Sequence, residues 1–254
     1  MHRFYIDPES IEGNCVKIGG TDAGHIARVL RLKPGDEIAL CDGQSNEWTA
    51  RILDVGKKNV AAELLSCRRL LTEPATRLTL YQGIQKAGKF EVVLQKGVEL
   101  GVARFVPFDC RRAVAAPWKA KDAKAERYAR VAYEAAKQCG RGALPAVEPP
   151  ISFETLVKRV KEHECSVLFW EEERAQSLRA LLGGKSAPND LALIIGPEGG
   201  IDPEEAEALC AAGAQCVTLG PRILRTETAG PVAAALALYE LGQMEYPKEG
   251  GAGA

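Results

Sequence analysis

The residues best suited to chemistry lie late in the chain, in two short runs. Gly196-Pro197-Glu198-Gly199-Gly200 follows the apolar run LALII and precedes Asp202-Pro203-Glu204-Glu205. Glycines between a strand and a helix let a ligand approach bare backbone. The run has neither the G-x-G-x-x-G of a dinucleotide site nor the G-K-[ST] of a phosphate loop. Helix N-termini attract anions, yet Glu198, Asp202, Glu204 and Glu205 crowd this one with carboxylates. That pattern disfavours a phosphate and suits a neutral or cationic ligand carrying an adenosine. S-adenosylmethionine, a sulfonium without phosphate, fits. The bland alternative is a tight turn without a ligand, its acids serving as caps: Asp202 at the cap, Pro203 at the first helical position, Glu205 placed for a capping box.

A second run, LGPRILRTETAG (Leu219–Gly230), follows the strand-like CVTL. Two glycine turns at the carboxyl ends of strands in one sheet make a common ligand position in α/β folds. Pro231 is tolerated if the last helix is capped at Thr228, which leaves Arg222, Arg225 and Glu227 on the loop.

The elements that must hold these runs show two rhythms. RFYI (3–6), CVKI (15–18), EIALCDG (37–43), EWTARIL (47–53) and NVAAELL (59–65), with one helix near 22–30, have the spacing of a small β-barrel. The charged connector RRLLTEPAT then marks a boundary, giving domains at 1–72 and 73–246 with a disordered tail at 247–254. Beyond the boundary, strands at 77–84, 104–108, 166–170, 191–195 and 216–219 alternate with helices at 89–100, 121–139, 153–161 and 203–212 and an Ala-rich last helix. That alternation predicts an α/β domain with a largely parallel sheet covered on both faces.

Composition narrows the partners. The 254 residues carry a net charge of −1, but residues 1–72 sum to zero, 73–150 to +6 and 151–254 to −7. The basic middle predicts a surface for a polyanion. Eight cysteines form no C-x-x-C pair and three histidines sit at no metal-ligand spacing, so no metal site is expected. No apolar run reaches a membrane span and the N-terminus lacks a signal core, so a cytoplasmic protein without membrane contact is expected.

GPEGG before an acidic helix, followed by LGPRILRTETA, resembles the RsmE family of SPOUT methyltransferases. HIARVLRLKPGD (25–36), KAGKFEVVLQKGVELGV (86–102) and EAAKQCGR with a later proline (134–145) extend the likeness over nearly the whole chain. Gly97-Val98, Ile201 and Gly230-Pro231 depart from the family pattern. The resemblance implies a PUA-like N-terminal β-barrel, a C-terminal α/β domain with a deep trefoil knot, a homodimer, and methylation of N3 of a uridine in small-subunit ribosomal RNA. It implies S-adenosyl-L-methionine binding by Gly196, Glu198, Gly199, Gly200, Leu219, Gly220, Ile223, Leu224 and Thr228, of which Leu219, Ile223 and Leu224 also read as core.

The basic residues expected at the RNA are Arg3, Arg28 and Arg31 in the barrel, and Lys86, Lys89, Arg111, Arg112, Arg127, Arg130 and Arg141 beyond it. Arg127 and Arg130 share a helix face with Glu134 and Gln138. Uridine N3 is a weak nucleophile until its proton leaves. Arg222 or Arg225 can stabilise charge on the uracil oxygens, and Glu198 or Glu227 can accept the proton. Two further readings stay open: an RNA-binding assembly factor without methyl transfer, and transfer to another RNA atom such as a ribose hydroxyl.

Overall fold

The computed structural model describes residues 1–86, 88–119 and 121–246. The tail expected at 247–254 lies outside the described residues. The chain divides into two compact units, Met1–Glu73 with Ala136–Leu144, and Pro74–Ala135 with the chain from Pro145 onward.

The first unit is a mostly antiparallel six-stranded sheet: β1 (Arg3–Tyr5), β2 (Ile11–Glu12), β3 (Cys15–Ile18), β4 (Glu37–Cys41), β5 (Asn46–Val55) and β6 (Val60–Arg69), in the order β1-β4-β5-β6-β3-β2. Register shifts in the β5–β6 ladder at Thr49/Ala50 and Ile52/Asp54 bend the strands, as bulges do, and curl the sheet around one core. Phe4, Ile18, Ile26, Ile38, Leu40, Ile52 and Val60 fill it. Ile26 comes from a helical stretch, α1 (Gly20–Gly24) running into wide π-type turns at His25–Leu30. The connector expected at RRLL begins later, because β6 keeps pairing with β5 through Arg69.

The second unit is an all-parallel sheet: β7 (Arg77–Gly83), β8 (Arg104–Phe108), β9 (Ala146–Val147), β10 (Cys165–Phe169), β11 (Asp190–Ile195) and β12 (Gln215–Val217), in the order β12-β10-β11-β7-β8-β9. Its helices are α2 (Lys89–Glu99), α3 (Ala123–Cys139) up to Ala135, α4 (Phe153–Val160), α5 (Leu178–Leu182), α6 (Pro203–Ala211) and α7 (Thr226–Glu240). α7 lies against β7, β11 and α2, and α6 against β10 and α4, so the sheet is covered on both faces. β11 is apolar from Leu191 to Ile195 and buried throughout, as a strand with two covered faces requires.

The last helix departs from expectation. It starts at Thr226 with Arg225 as its cap, not at Thr228, and Pro231 lies inside it. The early start is set by Thr226, which is 7% exposed and hydrogen-bonded to its neighbours. Gly230, just before that proline, sets how closely the helix seats. A Cβ there would stand 2.9 Å from Gln82 Oε1 and 3.3 Å from Leu80 Cδ2, so the glycine brings α7 close to β7.

Candidate functional site

The carboxyl ends of β10, β11 and β12 surround a cavity of about 450 Å³. The end of β10 and the residues after it supply Phe169, Trp170 and Glu171; the end of β11 and its turn supply Ile195 to Gly200; the segment after β12 supplies Thr218 to Gly220 and Arg222 to Thr226. Lys89 reaches in from the start of α2, and Ala229 closes the wall from α7. Both predicted turns therefore meet at one cavity, together with a strand end that the sequence reading did not include.

Backbone geometry keeps the turns bare. Gly200 has φ +72 and Gly220 φ +96, a left-handed region costly for residues with a Cβ. A Cβ on Gly200 would collide with Glu171 Oε1, whereas one on Gly220 would meet no atom within 4 Å. Gly220 thus offers naked peptide to open space.

Beneath the cavity a buried polar knot joins the two runs. The Thr226 hydroxyl donates to Gly196 O at 2.6 Å and accepts from Gln82 Nε2 at 2.9 Å and Gln85 Nε2 at 3.0 Å. Gln82 Nε2 also reaches Gly196 O at 3.3 Å. One hydroxyl at the start of α7 therefore sets the carbonyl that opens the glycine turn.

Lys89 plays a corresponding part above it. Its Nζ lies 3.2 Å from Glu198 Oε1 and 3.4 Å from Glu227 Oε2. The hydrogen bond to Glu198, helped by Glu227, raises the Lys89 pKa. Burial alone would raise Glu198, but hydrogen bonds from its own and the Lys86 backbone N–H and from Lys89 outweigh it and leave its pKa lowered. A carboxylate lowered on folding adds stability that is complete above its unfolded pKa, about 4.3 for a free glutamate, and is lost as pH falls through the lower folded value. Wild type and Glu198→Gln are accordingly expected to differ in melting temperature at neutral pH and to converge as pH falls below that range. A pH-independent difference in paired thermal melts would contradict the ion pair.

The electrostatics correct one expectation. Asp202, Glu204 and Glu205 do not line the cavity. Arg111 Nη1 takes Asp202 at 3.3 Å and Glu204 at 2.5 Å, and Arg112 Nη2 takes Asp202 at 3.3 Å. Asp202 caps α6 through the Glu204 N–H. Glu205 makes no capping box: it is 4% exposed and accepts the Arg111 N–H at 3.0 Å. The charged lining is Glu171 and Glu198 against Lys89, Arg222 and Arg225, so the cavity is not ringed by negative charge.

Of the sequence-predicted ligand residues, Gly196, Glu198, Gly199, Gly200, Leu219, Gly220, Ile223 and Leu224 line the cavity, as do Arg222 and Arg225. Ile223 is 80% exposed at the rim, so it is not core. Thr228 is exposed one turn into α7 and outside the lining; Thr226 occupies the place expected for it. Glu227 approaches through Lys89 alone. Trp170 ends the run SVLFW, which reads as plain core strand, and Glu171 opens the acidic run that follows it, so neither carries a site signal in the sequence. Lys89 was assigned to an RNA surface because only its charge is visible in the sequence.

The basic residues divide. Arg141 is 4% exposed and grips Glu73 through Nε and Nη2, the latter at 2.6 Å. Arg3 pairs with the buried Glu47 at 2.5 Å. Both are committed inside the first unit. Arg127 pairs with Glu91 at 2.8 Å, Arg111 and Arg112 with the α6 acids. Arg28, Arg31, Lys86 and Arg130 are exposed and have no ion pair among the described residues.

Comparison with known proteins agrees with this geometry. Residues 72–238 match the family model of an RNA methyltransferase domain, and residues 18–65 that of an RNA methyltransferase PUA domain. The chain is 32% identical over 98% of both chains to the ribosomal RNA small subunit methyltransferase E of Bacillus subtilis. The protein of that name from Mycobacterium tuberculosis is 32% identical over 91% of this chain and 88% of its own. The crystal structure of a Neisseria gonorrhoeae ribosomal RNA small subunit methyltransferase E bound to S-adenosyl methionine superposes with a TM-score of 0.82, at 32% identity over 95% of this chain and 98% of that one. A Legionella pneumophila structure with SAM bound gives a TM-score of 0.84 at 31% identity over 93% and 96%.

Proposed function

The chain belongs to the ribosomal RNA small subunit methyltransferase E family, and from that premise we propose that it transfers a methyl group from S-adenosyl-L-methionine to N3 of a uridine in small-subunit ribosomal RNA. The observation that carries the reading is the convergence of two bare turns, Gly196–Gly200 and Leu219–Gly220, on one cavity at the ends of β11 and β12, the strands on either side of β10. Its size is in the range of small-molecule sites. The open face of Gly220 and the peptide edges of Gly196 to Gly200 suit a flat adenosine, and Glu171 and Glu198 suit its sulfonium end.

When bound, the donor supplies an electrophilic methyl group on sulfur. The chain's own residues do the rest. Arg222 and Arg225, on the cavity wall and without ion pairs among the described residues, stabilise charge on the uracil oxygens as the N3 proton leaves. Glu198, held ionised by Lys89 and backbone N–H groups, orients the turn and is one of the two acceptors for the proton; Glu227, against the same lysine, is the other. Thr226 positions Gly196. Thr226→Val leaves the Gly196 carbonyl and two glutamine amides short of a partner, a loss of about 1–3 kcal/mol. Donor affinity is expected to fall about tenfold in titration calorimetry, with Thr226→Ser restoring it.

Exposed Arg28, Arg31, Lys86 and Arg130 grip phosphates in this reading, with Arg111, Arg112 and Arg127 available by exchanging their partners. A homodimer, a cytoplasmic location and a knotted course of the chain through the two turns belong to the same proposal; Leu236 and Tyr239, apolar and exposed on α7, supply surface for a second copy. The test is transfer of labelled methyl to small-subunit RNA, naked and assembled, with the modified atom located by mass spectrometry. Label on a ribose hydroxyl, or donor binding without transfer, would replace the proposal. Full single-turnover rates in both Arg225→Ala and Glu198→Ala would remove the roles given to them.

A further inference from the structure

α6 and β12 are joined by a short turn, and the cavity segment Thr218–Thr226 leaves from the far end of β12. Cys210, exposed in the last turn of α6, and Cys216, half-buried on β12, place their sulfurs 2.8 Å apart. That is inside the van der Waals separation of two sulfurs and within about 1 Å of a disulfide bond length. The pair is fixed by regular structure on both sides. β12 is in register with β10, Cys216 opposite Leu168. Gly213 at φ +109 turns the chain, and the Ala214 N–H bonds to Leu209 O at 3.0 Å. Neither cysteine lines the cavity, so the methyl-transfer reading does not use them.

We propose that Cys210 and Cys216 form a dithiol modification site that a peroxide-class oxidant converts reversibly to an intramolecular disulfide. The exposed Cys210 sulfur attacks one peroxide oxygen, forming an S–O bond as the O–O bond breaks, and water leaves. The Cys216 sulfur then displaces the hydroxyl of the sulfenic acid, forming the S–S bond and releasing a second water. Two thiols give up two electrons and two hydrogens, and one peroxide becomes two waters. This order follows from exposure, and Cys216 is the poorer first nucleophile because burial, with Cys210 beside it, pushes its thiol up to about 12. The reduced pair is also the spacing that a trivalent arsenical bridges.

The experiment treats the full-length protein with stoichiometric hydrogen peroxide, alkylates free thiols, and digests with trypsin without reductant. Both cysteines fall in the single peptide Ser186–Arg222. The expected product is that peptide two hydrogens lighter and unalkylated, restored by dithiothreitol, while the other six cysteines alkylate. Phenylarsine oxide should bind one equivalent in the wild type and at least tenfold less tightly to Cys210→Ser and to Cys216→Ser. In Cys216→Ser, oxidation should stop at the sulfenic or sulfinic acid of Cys210. Alkylation of both Cys210 and Cys216 in the oxidised wild type, or a disulfide from either to another cysteine, would overturn the assignment. Methyl transfer by the reduced serine variants separates this result from the proposed activity, because both should retain it.

Discussion

Gly83→Ala is expected to cost the enzyme about a hundredfold in single-turnover methyl transfer and about 1–3 kcal/mol in stability. Gly83 ends β7 directly beneath the glycine turn. A Cβ built there would strike the Pro197 nitrogen and stand 2.5 Å from Pro197 Cδ and 2.8 Å from the Gly196 carbonyl carbon. All are backbone or ring atoms, so no flexible side chain can give way. Relief requires Gly196–Pro197 to retreat by on the order of 1 Å, a misplacement sufficient for losses of that size. The Thr226 hydroxyl bonded to Gly196 O resists the movement, so strain spreads to the start of α7. Rapid-mix methylation and chemical denaturation check both halves, and a variant as fast as wild type would mean the turn is not held rigid from below.

Arg141→Ala is expected to lower stability by about 3 kcal/mol while leaving the salt dependence of RNA binding unchanged. Arg141 looks from sequence like part of a basic surface, but its guanidinium is enclosed and its partner, Glu73, also accepts the Gly142 N–H at 3.1 Å and the Ala143 N–H at 3.2 Å. The Arg141 carbonyl accepts the buried Tyr5 hydroxyl at 2.7 Å. Removing the arginine leaves a carboxylate with two amide donors and no countercharge. Arg130→Ala is the contrasting case: exposed and without an ion pair among the described residues, it should leave the denaturation midpoint alone. If it contacts phosphate, the slope of log K against log salt should fall by about 0.7 for a single strand. Were Arg141→Ala to weaken RNA binding at unchanged stability, the buried pair would not be structural.

Much of this was legible in the residues. Period-two strands, then strands alternating with helices, announced the two kinds of sheet. The glycine runs announced the turns, because a glycine repeated at strand ends has few other uses. Charge was less informative. The carboxylates around Asp202 look alike in sequence, yet only the fold shows that Arg111 and Arg112 neutralise them while Glu198 faces the cavity. Arg3 and Arg141 show the same limit: an arginine tied to a glutamate inside a unit and an exposed one have the same letter and often the same neighbours. Trp170 and Glu171 were hidden because a strand's last residues read as strand until the ends of its neighbours are known. The start of α7 escaped because a local rule, proline near the first turn, yielded to a tertiary bond at Thr226.

The return of residues 136–144 to the first unit bears on how that unit can be inherited or borrowed. A fragment cut after Glu73 would carry Tyr5 and Glu73 into solvent without the arginine and carbonyl that satisfy them. The unit is therefore not a portable cassette of the N-terminal chain. A fusion that transplants it to another enzyme must also carry the end of α3, and a recombination event between residues 74 and 135 would strand the polar ties that Arg141 makes with Tyr5 and Glu73.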